Sequence, residues 1–128
     1  ELASKKILVV DDESDITFSF SIGLEDSGFN DDTFNNPLRA LSNFKSDSYD
    51  LVLLDIKMPE MNGIDLCKEI RKLDSNVRIC FLTAFDSRYE EFRRYSDCFI
   101  RKPITIEDLV TKVKKELTKL ANEYWYLY

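Results

Sequence analysis

The chain has 128 residues, a formal net charge of −6 and no histidine. This length, with 44% hydrophobic residues, suffices for one core, and we expect residues 1–128 to form a single domain. The absence of histidine excludes imidazole metal sites, Ser-His-Asp hydrolysis and a histidine phosphocarrier. The acidic balance argues against direct nucleic-acid binding. No apolar run approaches the ~20 residues that span a bilayer, so we expect no membrane segment.

Short apolar runs, each followed by polar residues, predict the strands. Such runs are typical of strands buried on both faces of a parallel sheet. The four clear runs are residues 7–10, 51–54, 79–82 and 98–100, and a weaker strand candidate covers residues 29–34.

Segments with helical periodicity alternate with these strands. Asn36 followed by Pro37 is typical of a helix start, and Ser27-Gly28 is typical of a helix end. The predicted helices cover residues 14–27, 37–44, 64–73, 86–96 and 106–120. Strict alternation of this kind predicts an α/β fold, in which right-handed crossovers build a parallel sheet covered by helices on both faces.

The three cysteines form an odd set without metal-binding spacing: Cys67, Cys80 and Cys98. Two of them lie inside the apolar runs. Free cysteines of this kind are usually small buried residues, so we expect all three to be reduced thiols in a cytoplasmic protein.

Polar residues that phosphoryl chemistry uses follow four of the five predicted strands. They are Asp11 and Asp12 after the first strand, Asp55 after the third, Thr83 after the fourth and Lys102 after the fifth. Because parallel strands end at one edge of a sheet, we expect these side chains to lie close together. Each residue alone is more often a helix cap or part of a turn. Their conjunction at four strand ends indicates a functional site.

The residue types at this edge predict a magnesium and phosphate site. Carboxylates that lie together repel one another unless a cation is present, and Mg²⁺ prefers oxygen ligands. A carboxylate beside Mg²⁺ can attack phosphorus and form an acyl phosphate. The hydroxyl of Thr83 and the ammonium of Lys102 suit the negative oxygens of a phosphoryl group.

With the segment 58–63 (MPEMNG), Thr83-Ala84 and Lys102-Pro103, the chain resembles the receiver domain of two-component response regulators. The resemblance extends from about residue 5 to residue 120. It implies a flavodoxin-like (βα)₅ fold, a doubly wound five-stranded parallel sheet of order 2-1-3-4-5. It also implies a role in phosphorelay signal transduction rather than in enzymatic turnover.

The resemblance further assigns a role to each site residue. Asp55 would be the phosphoacceptor, with a sensor histidine kinase or a histidine phosphotransfer protein as the donor. Mg²⁺ would be the cofactor, held by Asp12 and Asp55 directly, by Asp11 mainly through water, and by the backbone carbonyl of Lys57. Thr83 and Lys102 would hold the phosphoryl oxygens.

The resemblance also implies a conformational switch. Phosphorylation would draw Thr83 inward and vacate space that Phe99 fills, where the family commonly has Tyr. A downstream effector would then bind the face formed by residues 86–119. Ordinary core packing is the alternative role for Phe99.

The aromatic tail at residues 121–128 has two interpretations of equal weight. It forms a docking or homodimer surface, or the last helix continues and lays these rings over its own domain. The chain also leaves open whether the receiver stands alone or belongs to a longer regulator.

The sequence leaves two alternative functions to consider. An aspartate-nucleophile phosphatase would need a second Asp two residues after the nucleophile, and Lys57 occupies that place. A receiver-like module that binds partners without phosphorylation is the other rival, against which the complete set of acidic, hydroxyl and ammonium side chains argues.

Overall fold

The computed structural model describes residue 2, residues 4–84 and residues 94–126, with side chains as far as residue 119. The described strands are β1 (Lys6–Val10), β2 (Asn30–Phe34), β3 (Leu51–Asp55), β4 (Arg78–Thr83) and β5 (Cys98–Arg101). The described helices are α1 (Ser14–Asp26), α2 (Pro37–Asn43), α3 (Gly63–Leu73) and α4 (Ile106–Tyr126). Of the helix predicted at 86–96, residues 86–93 lie outside the described part, and residues 94–96 form no helix.

The strands form one five-stranded sheet with the order β2-β1-β3-β4-β5, and every pair is parallel. The predicted α/β fold with strand order 2-1-3-4-5 is therefore confirmed. The weak strand candidate is also confirmed, because β2 pairs in register with β1 from Lys6 opposite Asn30 to Val10 opposite Phe34.

Alternate residues of each central strand supply two separate cores. On one face, strand residues such as Leu8, Leu54 and Phe81 pack with residues of α2 and α3. On the other face, strand residues such as Val9 and Leu53 pack with residues of α1 and α4. Helices thus cover both faces, as the continuous apolar runs predicted.

Side-chain caps place the helix starts where the sequence predicts them. The Asn36 side chain accepts hydrogen bonds from the backbone N–H of Leu38 and Arg39, at 2.9 and 3.1 Å. The Asn62 side chain accepts one from Asp65 at 2.9 Å. Thr105 caps α4 through its Oγ1, which accepts from the N–H of Asp108 at 3.1 Å. These bonds satisfy N–H groups that a helix start leaves without partners.

One prediction for α2 is wrong. The spacing of Leu38, Leu41 and Phe44 in the sequence predicts one apolar stripe, but the Leu38 side chain is 46% exposed. The helix has only seven residues, and among its residues Pro37 and Ala40 are the buried ones. The buried stripe therefore begins at Pro37, one residue before the predicted position.

The prediction of three reduced thiols is wrong for two of the cysteines. Cys80 and Cys98 lie opposite each other on β4 and β5 and form a disulfide, with their Cα atoms 4.5 Å apart. Cys67 is free and buried, as expected. The sequence did not predict this disulfide, because the cysteine count is odd and the two residues are 18 positions apart. The register of β4 and β5 brings them together.

The last helix is long. α4 continues to Tyr126, so its backbone includes most of the aromatic tail, whose side chains lie outside the described part. Within the described residues, no helix is both long and apolar enough to cross a membrane.

Candidate functional site

The predicted site residues lie at the carboxyl edge of the sheet. Asp11 follows β1 and is fully buried, whereas its neighbour Asp12 is exposed. Asp55 ends β3 and Thr83 ends β4, and both are buried. Lys102 follows β5, and its backbone N–H donates to the carbonyl of Thr83 at 2.8 Å. Parallel pairing thus aligns the ends of the strands that carry the predicted site.

The ammonium of Lys102 joins two of the strand ends. Its Nζ lies 2.6 Å from Oδ2 of Asp11 and 3.4 Å from Oδ1 of Asp55. The Lys102 side chain is 12% exposed, so these pairs are largely shielded from water. Glu13 also reaches this ammonium, with its Oε1 at 3.7 Å, although the Glu13 side chain is 63% exposed.

The site perturbs the acid–base properties of Asp55 and Lys102. Burial, reinforced by the negative charge of Asp11, raises the pKa of Asp55 to about 7, although Lys102 acts in the opposite direction. Burial alone would lower the pKa of Lys102. The hydrogen bond to Asp11 and the charge of Asp55 outweigh burial and raise the pKa of Lys102. The ammonium form of Lys102 is therefore favoured at neutral pH. The carboxyl of Asp55 titrates near neutral pH.

The three carboxylates can hold a metal ion together. One oxygen from each of Asp11, Asp12 and Asp55 lies within 4.8 Å of the others. The formal charge of three carboxylates exceeds the single positive charge of Lys102. Hard oxygen donors with an excess of negative charge are the ligand set that Mg²⁺ takes, so these residues fit that cation.

Two further residues shape the loops of the site. The side chain of Asn35 donates to the carbonyl of Asp11 and to Oγ1 of Thr17, both at 2.9 Å, which fixes the loop between β1 and α1. Asn35 directly follows β2, so its position as a polar residue at a strand end is the sequence signal that points to it. Gly63 packs on the end of β3, where a Cβ would lie 2.1 Å from the carbonyl oxygen of Asp55.

The proposed switch residues face a common groove. Thr83 and Phe99 both line a cavity of about 830 Å³ at the ends of β4 and β5. The Phe99 ring also packs against Phe81, with ring centroids 5.8 Å apart. Lys57 is exposed and lies two residues after Asp55, and the role of its backbone carbonyl stays a prediction.

The fold and this constellation of side chains define a class of signalling domain. The model of the response regulator receiver domain matches residues 7–114. The chain belongs to this family. The expected resemblance is thereby confirmed.

Individual relatives agree with the family. The chain is 41% identical over 124 residues to the transcriptional regulatory protein CpxR homolog of Haemophilus influenzae. That alignment covers 91% of this chain and 52% of the relative, so the chain spans about half the length of the curated relatives it matches. These relatives are named as transcriptional regulators and DNA-binding response regulators.

Solved structures show the same fold. A CheY-like receiver domain from Methanospirillum hungatei superposes with a TM-score of 0.81 at 29% identity, covering 94% of this chain and 99% of the other. TrrA of Thermotoga maritima, solved with Mg²⁺ and BeF, has a TM-score of 0.78 at 38% identity and coverages of 87% and 97%. TrrA solved with the histidine kinase ThkA has a TM-score of 0.76 at 39% identity, with the same coverages.

Proposed function

We propose that Asp55 accepts a phosphoryl group from the phosphohistidine of a sensor kinase or phosphotransfer protein. The observation that carries this proposal is a buried carboxyl at a strand end, 3.4 Å from the Lys102 ammonium and clustered with two further carboxylates. The crystal structures of TrrA with Mg²⁺-BeF and with the histidine kinase ThkA support the proposal, because TrrA is similar to this chain in sequence and fold. The chain would then be a cytoplasmic signalling domain rather than an enzyme.

The chemical step requires Asp55 as a carboxylate. One of its oxygens attacks phosphorus, the phosphorus–nitrogen bond to the donor imidazole breaks, and an acyl phosphate forms on Asp55. Lys102 lies close enough to Asp55 to pair with an oxygen of the transferred group. Thr83 is the last residue of the neighbouring strand β4 and supplies a hydroxyl at the same edge.

Mg²⁺ is the proposed cofactor of this step. Asp11, Asp12 and Asp55 would hold it with the backbone carbonyl of Lys57, and it would neutralise charge on the phosphoryl oxygens. The ion would also compete with the proton for Asp55, whose pKa is raised to about 7. Binding would therefore keep Asp55 ionised and nucleophilic at neutral pH.

The conformational change of the proposed switch would be transmitted to the surface formed by β5 and α4. Thr83 and Phe99 line one groove, so a shift of Thr83 toward a phosphoryl group would open space beside the Phe99 ring. The charged side chains that line the same groove are Arg101, Lys112, Lys115 and Asp108, so the described lining carries a net positive charge. We propose this face as the docking surface for a downstream effector.

Intact-mass analysis after incubation with acetyl phosphate tests the acceptor. We expect one phosphoryl adduct that requires Mg²⁺ and disappears in Asp55→Asn. Asp65→Asn is the matched control, because Asp65 is an exposed carboxylate in the first turn of α3. The control variant should be labelled like the wild type.

Two outcomes would contradict the proposal, and each would favour a different function. An unlabelled wild-type chain, beside a control receiver that is labelled and with a phosphohistidine donor also present, would indicate a binding module that works without phosphorylation. Multiple turnover of a phosphomonoester that depends on Asp55 would indicate a phosphatase.

A further inference from the structure

The cysteine pair on β4 and β5 is brought together by the backbone alone. Cys80 and Cys98 are direct partners in the parallel register, and their Cα atoms lie 4.5 Å apart. This separation falls within the range of about 4.4–6.8 Å that disulfides use. Because the sheet hydrogen bonds hold the two residues opposite each other, the sulfur atoms remain neighbours whether or not they are bonded.

A buried carboxylate completes this cluster. One oxygen of Glu116 on α4 and the two sulfurs all lie within 4.8 Å of one another. Glu116 is 7% exposed, and its buried Oε2 accepts no hydrogen bond. The Arg78 Nε lies 3.7 Å from this oxygen, and the Lys119 ammonium lies 3.2 Å from Oε1. Glu116 thus places a buried carboxylate oxygen beside both sulfurs.

The two sulfurs differ in access. Cys98 is half-buried and lies on a strand that pairs only with β4 among the described residues, whereas Cys80 is fully buried on β4. A reagent from solvent would therefore reach Cys98 before Cys80. Cys67 lies in the core of the other sheet face, its Sγ donates to the carbonyl of Tyr95, and burial raises the pKa of its thiol.

We propose that Cys80 and Cys98 form a redox-sensitive modification site, with a reversible disulfide that exchanges with small thiol–disulfide couples such as glutathione. Glu116 acts there as the proton acceptor. This inference goes beyond the proposed phosphotransfer and does not depend on it. In the oxidised form the disulfide fastens β5 to the core of the sheet.

The exchange balances in two steps. The Cys98 thiolate attacks glutathione disulfide, forms a mixed disulfide and releases one glutathione thiolate. Cys80 then gives its proton to Glu116 and attacks Cys98 Sγ, which releases the second glutathione thiolate. Two protein thiols are oxidised, one glutathione disulfide is reduced, and the two thiol protons end on the two glutathione molecules.

The disulfide acts on the strand that carries the proposed switch. Cys98 directly precedes Phe99 and lies four residues before Lys102. An edge strand held by one ladder opens more readily than a central strand, and a covalent bond to β4 opposes that opening. Oxidation should therefore slow the local opening of β5 and restrict the movement of Phe99.

A glutathione redox titration of the wild-type chain tests the site. After equilibration at set ratios of reduced and oxidised glutathione, the protein is acid-quenched, denatured and alkylated, and its mass is measured. We expect a transition from three alkylated thiols to one, with Cys67 as the remaining thiol. Cys67→Ala should show the same transition, from two thiols to none.

Amide hydrogen exchange and one helix variant test the mechanism. We expect the amides of β5 to exchange at least tenfold faster in the reduced protein, while those of β1 stay unchanged. Glu116→Gln should slow the second step about tenfold and accumulate the glutathione adduct on Cys98. Glu107→Gln, an exposed change on the same helix, should leave both steps as in the wild type.

Three results would overturn the proposal. The first is three alkylated thiols at every glutathione ratio. The second is a reduced chain that retains one equivalent of Zn²⁺ with both thiols protected, which would make the cluster a metal site. The third is equal exchange of β5 in both forms. The wild-type titration decides the first result, and zinc analysis with alkylation of the native, reduced wild-type chain decides the second, even where a variant fails to fold.

Discussion

Lys102 is the residue on which the charge balance of the site depends. Its ammonium contacts Asp11 at 2.6 Å and Asp55 at 3.4 Å in a largely buried setting. Removing one partner of a buried ion pair leaves the other charge uncompensated, which usually costs more than the pair itself contributes. In the proposed function the same ammonium would also pair with the transferred phosphoryl group, so Lys102 would have both a structural and a signalling role.

Replacing this ammonium should destabilise the metal-free protein. We expect Lys102→Met to lower the free energy of unfolding by about 2 kcal/mol in EDTA, as measured by urea denaturation. Added Mg²⁺ should recover part of this loss, because the cation neutralises the same carboxylates. Lys72→Met is the control: its pair with Glu69 is exposed, and such pairs contribute roughly 0–1 kcal/mol. Equal stability of Lys102→Met and wild type in EDTA would contradict the prediction.

Asp31 on β2 should make stability depend on pH. Burial, assisted by the neighbouring Glu25, raises the pKa of Asp31 from 3.8 to about 6. The folded state then binds a proton more tightly than the unfolded state, so stability is lost as the pH rises through about 6. Asp31→Asn, which cannot ionise, should stabilise the protein more at pH 8 than at pH 5, because part of this loss occurs between pH 5 and about 6. Urea denaturation at both values measures the difference.

A surface carboxylate provides the comparison for Asp31. Asp26 is exposed at the end of α1, so Asp26→Asn should shift the free energy of unfolding by the same small amount at both pH values. An Asp31→Asn variant whose effect is equal at pH 5 and pH 8 would show that Asp31 does not titrate in this interval.

At the scale of the element, local chemistry predicted the helix starts well. Asn36, Asn62 and Thr105 each accept the capping hydrogen bonds that their residue types suggest. The stripe of α2 was harder to predict, because a helix of seven residues buries few side chains and a shift of one position exposes Leu38. Tertiary packing decides which side chains of a short helix are buried, and the periodicity of so few residues predicts this poorly.

The start of α3 depends on a glycine. The Gly63 N–H donates to the carbonyl of Ile56 at 2.7 Å, and an added Cβ would meet the backbone of Asp55 at 2.1 Å. Backbone atoms cannot rotate away, so we expect Gly63→Ala to cost about 3 kcal/mol of unfolding free energy and to weaken acetyl phosphate labelling. Calorimetry and intact-mass analysis measure the two effects.

Gly23 on α1 provides the control for the Gly63 substitution. An added Cβ there would meet the side chain of Ile106 at 2.1 Å, and a side chain can move where a backbone cannot. We expect Gly23→Ala to cost about 1 kcal/mol and to leave labelling intact. A Gly63→Ala variant no less stable than Gly23→Ala would contradict the close approach of α3 to β3.

At the scale of the molecule, the strand ends predicted the edge at which the polar side chains meet, whereas the sheet order came from the resemblance to the receiver family. Buried runs mark the parallel strands, and the polar residues after them meet at one edge. What the sequence did not predict depends on register between strands. The pairing of Cys80 with Cys98 and the contact of Asn35 with the β1–α1 loop both arise across elements distant in the chain.

The acidic edge should couple metal binding to global stability. Three carboxylates held within 4.8 Å strain the metal-free state electrostatically, and a cation that binds only the folded state stabilises it by mass action. At Mg²⁺ concentrations of about 100 times Kd, we expect a gain of about 2.7 kcal/mol in unfolding free energy. Asp12→Asn should remove most of this gain and be no less stable than wild type in EDTA, because it also removes repulsion. Urea denaturation across a Mg²⁺ titration measures both effects.

Specific binding must be separated from general screening. NaCl matched in ionic strength should give only a small part of the Mg²⁺ effect, since screening acts on all surface charges alike. Asp15→Asn, an exposed carboxylate in the first turn of α1, should retain the full Mg²⁺ response. If NaCl stabilises the chain as much as Mg²⁺ does, or if Asp12→Asn keeps the whole gain, then the three carboxylates do not form a metal site. The phosphoacceptor chemistry proposed for Asp55 would then have to proceed without that cation.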